Sequence, residues 1–188
     1  ASAAPAPNDP AENPAAEPYD LADLEPGATM RALRVHGVGG VEQLSVDEVP
    51  LPIVVHSDLL VRVLASGVNP IETKTRAGKG MAGVIDHPFV LGGEFAGVVV
   101  RAPYELAEFQ PGDEVWGMLL TPHYQGAQAE YVSVPMLSVS RKPATLGWLE
   151  AGGVPLAALT AWAAVVDAGR VHTGQRVLVH AGAGGVGH

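Results

Sequence analysis

The chain has 188 residues, 47% of them hydrophobic and 16% charged, with a formal net charge of −9 and no cysteine. That length suits one ordinary domain with a buried core and is short for two full ones, and the balance of apolar and charged residues is that of a soluble globular protein. Missing cysteines exclude disulfides, cysteine-ligated zinc and a thiolate nucleophile, and an acidic chain has no basic field for phosphate backbones or anionic lipids, so neither nucleic acid nor membrane is an expected partner.

Six acids, Asp9, Glu12, Glu17, Asp20, Asp23 and Glu25, precede the first basic residue, Arg31, and without them 14 acids face 11 bases. Residues 1–29 are rich in Ala, Pro and acids, bury too little apolar surface to offset ordering entropy, and are expected to be a disordered tail. The first Met is Met30, which leaves two readings: an upstream extension of a protein starting at Met30, or a fragment at both ends. The N-terminus has neither a basic start nor an apolar core, and no apolar run reaches about 18 residues, so neither secretory signal nor spanning helix is expected and the cytoplasm is the expected compartment.

From Met30 the pattern becomes short strands separated by turn signals: "MRALRVH", "LSVDEVP", "DLLVRVLASGV", "GGEFAGVVV", "DEVWGML" and "AEYVSVP". Gly and Pro between alternating or apolar runs predict a β-barrel or sandwich, with a turn at Pro111–Gly112 feeding one strand. Near residue 144 the pattern changes. "ATLGWLEAGGVPLAALTAWAAVVDAG" is rich in Ala and Leu, lacks alternation and predicts helix, broken at Pro155 and capped by Gly169. A buried-type strand over Arg176–His180 is expected next, followed by a glycine turn.

That turn reads G-x-G-x-x-G at Gly182, Gly184 and Gly187. After a strand, this spacing lets backbone amides and a helix N-terminus receive a dinucleotide pyrophosphate, because a Cβ would block the turn, the phosphates or helix packing. The bland alternative is a flexible glycine-rich end.

In order, "MRALRVHG", "LLVRVLASGVNPIETKTRAGKG", "HPFVLGGEFAGVVV", "PGDEVWGM", "GAQAEYVSVP", "AGGVPLAALTAWAAV" and "GQRVLVHAGAGGVG" resemble the landmarks of the medium-chain dehydrogenase/reductases. The resemblance runs from Met30 to the last residue and implies a mainly β GroES-like catalytic domain over residues 30–147. It implies that residues 148–188 are a linking helix and the first β-turn-α element of a Rossmann (α/β) domain, which is truncated there. Zinc-dependent members have Cys where this chain has Asn69, and a His-Glu pair where it has Gly93 and Glu94, so no metal site is expected. The match is to the zinc-free quinone-oxidoreductase branch, through Val68-Asn69-Pro70, with Glu72 where that branch commonly has Asp.

For the whole protein the resemblance implies hydride transfer from a reduced nicotinamide cofactor, NADP with NAD as the alternative, to a small-molecule quinone or α,β-unsaturated carbonyl compound, and a homodimer. Without a metal, charge developing on substrate oxygen must be met by hydrogen-bond donors or a proton. Asn69 and Tyr124 are the candidate catalytic residues. Thr160, Gly182, Gly184, Gly185, Val186 and Gly187 are the candidate cofactor-binding residues. Beside each stands a plainer reading: Asn before Pro in a turn, an exposed loop Tyr, and a helical Thr bonding one turn back. Arg76, Lys79 and His123 rank below Asn69, and His87 with Glu94 lacks a third ligand. The competing function is a catalytically incompetent fragment, a GroES-like structural or interaction domain, since one strand and a glycine turn do not make a parallel sheet.

Overall fold

The computed structural model describes residues 24, 25, 27–55, 57–105, 107–119 and 125–188. Its β region is two antiparallel sheets. In the first, β1 (Thr29–Val35) lies between β2 (Leu44–Pro50) and β4 (Phe89–Val90). In the second the order is β7 (Tyr131–Pro135), β3 (Asp58–Ala65), β5 (Glu94–Arg101), β6 (Glu114–Met118) and β8 (Val139–Arg141).

The segment just before β7 closes the two sheets into a barrel. Ala32 bridges Ala129, the Leu33 N–H donates to Gln128 O at 2.8 Å, and the Glu130 N–H donates to Arg31 O at 3.1 Å while the Val63 N–H donates to Glu130 O at 2.9 Å. Strands β3 and β5 are apolar along most of their length because each serves two cores. Leu59, Val61, Phe95 and Val99 join Val115, Val132 and Val134 on one side, and Leu60 and Val100 join Met30, Ala32, Val49 and Tyr131 on the other.

Six expected strands are present as β1, β2, β3, β5, β6 and β7. The expected helix is there too, split as expected into α2 (Trp148–Gly153) and α3 (Pro155–Trp162), and continued by a π-helical turn over Ala163–Ala168 that Gly169 terminates. Three features depart from expectation. Residues within the expected tail are placed against the barrel: Leu24 packs against the second core, its carbonyl accepts from Arg101 Nη2 at 3.0 Å, and Thr29 already belongs to β1; residues 1–23 lie outside the described residues. Residues 70–76 form a helix, α1 (Pro70–Arg76). The strand expected over Arg176–His180 is unpaired and exposed. An apolar strand is stable only between neighbours that satisfy its backbone, and none is present among the described residues.

Candidate active site

Sequence order sets the site's first element. Asn69 has extended backbone, Pro70 presets the first helical φ, and the Glu72 side chain, three residues on, reaches back to accept from the Asn69 N–H at 2.5 Å. This starts α1 at Asn69 and turns Glu72 inward, where it is 7% exposed. Its other oxygen, Oε1, accepts from the Gly93 N–H at 2.9 Å.

Glu94 opens β5 and is 1% exposed. Its Oε1 accepts from Asn69 Nδ2 at 2.7 Å, its Oε2 from the Leu156 N–H of α3 at 2.7 Å, and its carbonyl from Ser66 Oγ at 2.8 Å. One carboxylate therefore joins the start of α1, the start of β5 and the first turn of α3, where it satisfies an otherwise unpaired helix N–H and meets the positive end of the helix dipole. Gly67 makes room for it, since a Cβ there would overlap the Glu94 carboxylate. Gly92 has φ +101, and its missing Cβ lets the Gly126–Gln128 backbone cross at hydrogen-bonding distance, with the Ala127 N–H donating to Gly92 O at 2.9 Å.

Burial pushes the Glu72 carboxyl above its ordinary value; the N–H groups of Asn69 and Gly93 oppose this and the Glu94 charge reinforces it. Glu72 and Gly93 border a cleft of about 940 Å³, whose apolar wall includes Ile71, Met81, Phe89, Leu119 and Leu156. The cleft suits a small molecule with a few polar anchors.

The structure brings Asn69 to this network but engages its Nδ2 with Glu94, while the cleft wall itself carries Glu72. Thr160 Oγ1 donates to Leu156 O at 2.6 Å, one turn back, and Thr160 is exposed. In the glycine turn the Gly184 N–H donates to Ala181 O at 2.8 Å and the Gly187 N–H to Gly184 O at 3.0 Å. Gly182, Gly184, Gly185 and Val186 are exposed there. Tyr124 and His123 lie outside the described residues. Arg76 and Lys79 are not among the cleft residues, and His87 packs edge-on against Phe89 with ring centroids 5.3 Å apart. Among the described residues no group of three His, Cys, Asp or Glu side chains is placed to hold a metal ion.

Sequence reasoning named Glu72 and Glu94 without giving them a role. The available signal was a lone carboxylate, Glu94, inside the apolar run "VLGGEFAGVVV", since burying a charge needs dedicated partners.

Residues 56–144 match the alcohol dehydrogenase GroES-like domain. Among curated relatives, the mitochondrial NAD(P)H oxidoreductase RTN4IP1 of Danio rerio is 35% identical over 155 residues, covering 73% of this chain and 40% of the relative. The chloroplastic NADPH-dependent alkenal/one oxidoreductase of Arabidopsis thaliana is 34% identical over 176 residues, covering 88% and 44%. The quinone oxidoreductase of Coxiella burnetii superposes with a TM-score of 0.77 at 33% identity, over 85% of this chain and 51% of that one. The chain thus spans between two fifths and half the length of these proteins. Residues 56–144 thus form an alcohol dehydrogenase GroES-like domain, and over most of its length the chain is similar to quinone and NAD(P)H oxidoreductases.

Proposed function

We propose that the chain supplies the substrate-side domain of a zinc-independent, NAD(P)H-dependent reductase of quinones or α,β-unsaturated carbonyl compounds. The observation that carries this is the Asn69–Glu94–Leu156 network beside an apolar cleft. Asn69 and Gly93 offer no thiolate or imidazole, and both Glu94 oxygens accept from N–H groups, so this donor set does not make a tetrahedral zinc site. Relatives whose names specify NAD(P)H, an alkenal or enone, and a quinone support the reaction class.

The glycine turn fits a cofactor role in one respect: a Cβ on Gly187 would overlap Ala181 O, so the tight bend needs glycine. Gly182, Gly184, Gly185, Val186 and Gly187, with Thr160 one helix away, would hold the dinucleotide, NADP in preference to NAD. When bound, the nicotinamide supplies a hydride to the substrate. The chain's own residues exclude water from the apolar wall, orient the carbonyl and offer donors to its oxygen. A dimer and a reducing, cytoplasmic compartment belong to the same proposal, the latter supported by the absence of cysteine.

The unpaired segment over Arg176–His180 favours a second statement, that these 188 residues do not turn over by themselves. A dinucleotide crevice lies at the strand-order switch of a parallel sheet, and none is present among the described residues. In calorimetric titration the chain is expected to bind NADPH no tighter than about millimolar, against the roughly 1 μM to 1 mM range typical of enzyme sites. A chimera carrying the C-terminal half of the Coxiella burnetii protein is expected to bind NADPH in the micromolar range and reduce 1,4-naphthoquinone. Micromolar binding by the chain alone would overturn the second statement, and a folded, NADPH-binding chimera inert towards quinones and enones would overturn the first.

A further inference from the structure

Two carboxylates share one largely buried site with no cation paired to either among the described residues. Glu72 is 7% exposed and Glu94 1%. They bracket a single residue, since Asn69 gives its backbone N–H to Glu72 and its Nδ2 to Glu94. Two like charges so placed are unfavourable together, and one proton on the pair relieves both desolvation and repulsion.

Geometry decides where a ligand meets that proton. Glu72 borders the cleft and Glu94 does not. Both Glu72 oxygens accept from backbone N–H groups, of Asn69 and Gly93, and a carboxylic acid keeps enough lone pairs to go on accepting while its O–H turns elsewhere. Thr75, one turn on in α1, shapes the adjacent wall by accepting from the Met81 N–H at 3.2 Å. Among the described residues the other charged groups of the cleft are Arg34 on β1, Glu48 on β2 and Asp86. Arg34 is turned towards Asp47, 3.5 Å away, and Pro88 O, also 3.5 Å away, so the charge acting on Glu72 is that of Glu94.

We propose that Glu72 is the ligand-recognising group of this cleft: its protonated carboxyl donates a hydrogen bond to the oxygen of a flat, uncharged carbonyl ligand held against Ile71, Phe89, Leu119 and Leu156, and its ionised form rejects that ligand. No covalent bond is made or broken in this step. The inference rests on the carbonyl reading above and adds the residue and the protonation state that select the ligand.

The test is calorimetric titration of the 188-residue chain with 2-methyl-1,4-naphthoquinone, which has no titratable group, from below the ordinary glutamate value of about 4.3 up to about pH 8.5. Affinity is expected to fall about tenfold across that range, the worth of one hydrogen bond to a buried acceptor. Glu72→Gln keeps an N–H donor at every pH, so its binding is expected to be independent of pH and as tight as the acid-side value. Its amide nitrogen cannot accept from Asn69 or Gly93, and that of Glu94→Gln cannot accept from Asn69 Nδ2 or the Leu156 N–H, so circular dichroism first shows each variant folded and the parent chain's own pH dependence is the primary readout. Glu94→Gln leaves Glu72 in place and removes the neighbouring charge, which moves the midpoint of the pH dependence to lower pH. Equal affinity across the range in the parent chain, or an unmoved midpoint in Glu94→Gln, would overturn the role of Glu72 and leave the carbonyl reading standing. Absence of saturable binding at every pH would overturn both.

Discussion

At the scale of single residues, Glu94 explains why its neighbours are what they are. Gly67 is glycine because the Glu94 carboxylate occupies the space of a Cβ, so Gly67→Ala is expected to cost about 1–3 kcal/mol, the usual penalty for overpacking a filled site, measured by urea unfolding. Glu94→Ala has a different effect. It leaves Asn69 Nδ2 and the Leu156 N–H, both part-buried, without their acceptor, at a cost below the roughly 1–3 kcal/mol of a fully buried unpaired donor. Hydrogen exchange at the Leu156 amide should accelerate in that variant; unchanged protection would show that another acceptor caps α3.

Elements show which parts of the fold the sequence displayed. Alternation and turn residues mark β1, β2, β3, β5, β6 and β7, and Pro155 and Gly169 mark the helix break and stop, because each of these signals acts locally. Strands β4 and β8 are two and three residues long, too short for periodicity to show. Helix α1 is short as well, and an Asn-Pro pair reads equally as a turn; the decisive feature is the Glu72 side chain closing back on Asn69, a capping pattern visible in "NPIE" once a helix is sought there. The Arg176–His180 segment erred in the other direction. Its apolar run carries the composition of a buried strand, while pairing depends on neighbours that a local pattern does not contain. The site was legible only in part, through Asn69, since the proximity of Glu72 to Glu94 arises from tertiary packing. Packing also fixes α2: a Cβ on Gly152 would lie 2.6 Å from the Ala65 Cβ on β3. Gly152→Ala is therefore expected to destabilise the protein by about 1–3 kcal/mol despite the better helix propensity of Ala, with thermal unfolding as the measurement.

For the whole molecule, acid and base act on different groups. Hydrogen bonds from the Arg141 side chain and the Gln110 N–H hold the Asp113 carboxyl below its ordinary value. Glu130 is also lowered: partial burial opposes this, and the Arg31 backbone N–H and side chain outweigh it. These two contributions are present above the ordinary carboxylate values and are lost as pH falls through the lowered ones. Glu72 has the opposite sign. Its raised value means that the folded state binds the proton more tightly, so stability declines as pH rises from the ordinary value through the raised one. A stability profile by urea unfolding should therefore fall on the acid side, and its descent above the ordinary carboxylate range should disappear in Glu72→Gln if that variant folds. A descent that persists there would assign the loss to another group.

The barrel's closure has a consequence for biosynthesis. Ala32 meets Ala129, and Arg31 bonds Glu130 across 99 positions of sequence, so β1 leaves the ribosome long before the segment that completes its edge. At about 5–20 residues per second that interval is roughly 5–20 s. Throughout it the β1–β2 hairpin presents an unfilled edge and an apolar face, the condition in which nascent chains pair with one another or engage a chaperone.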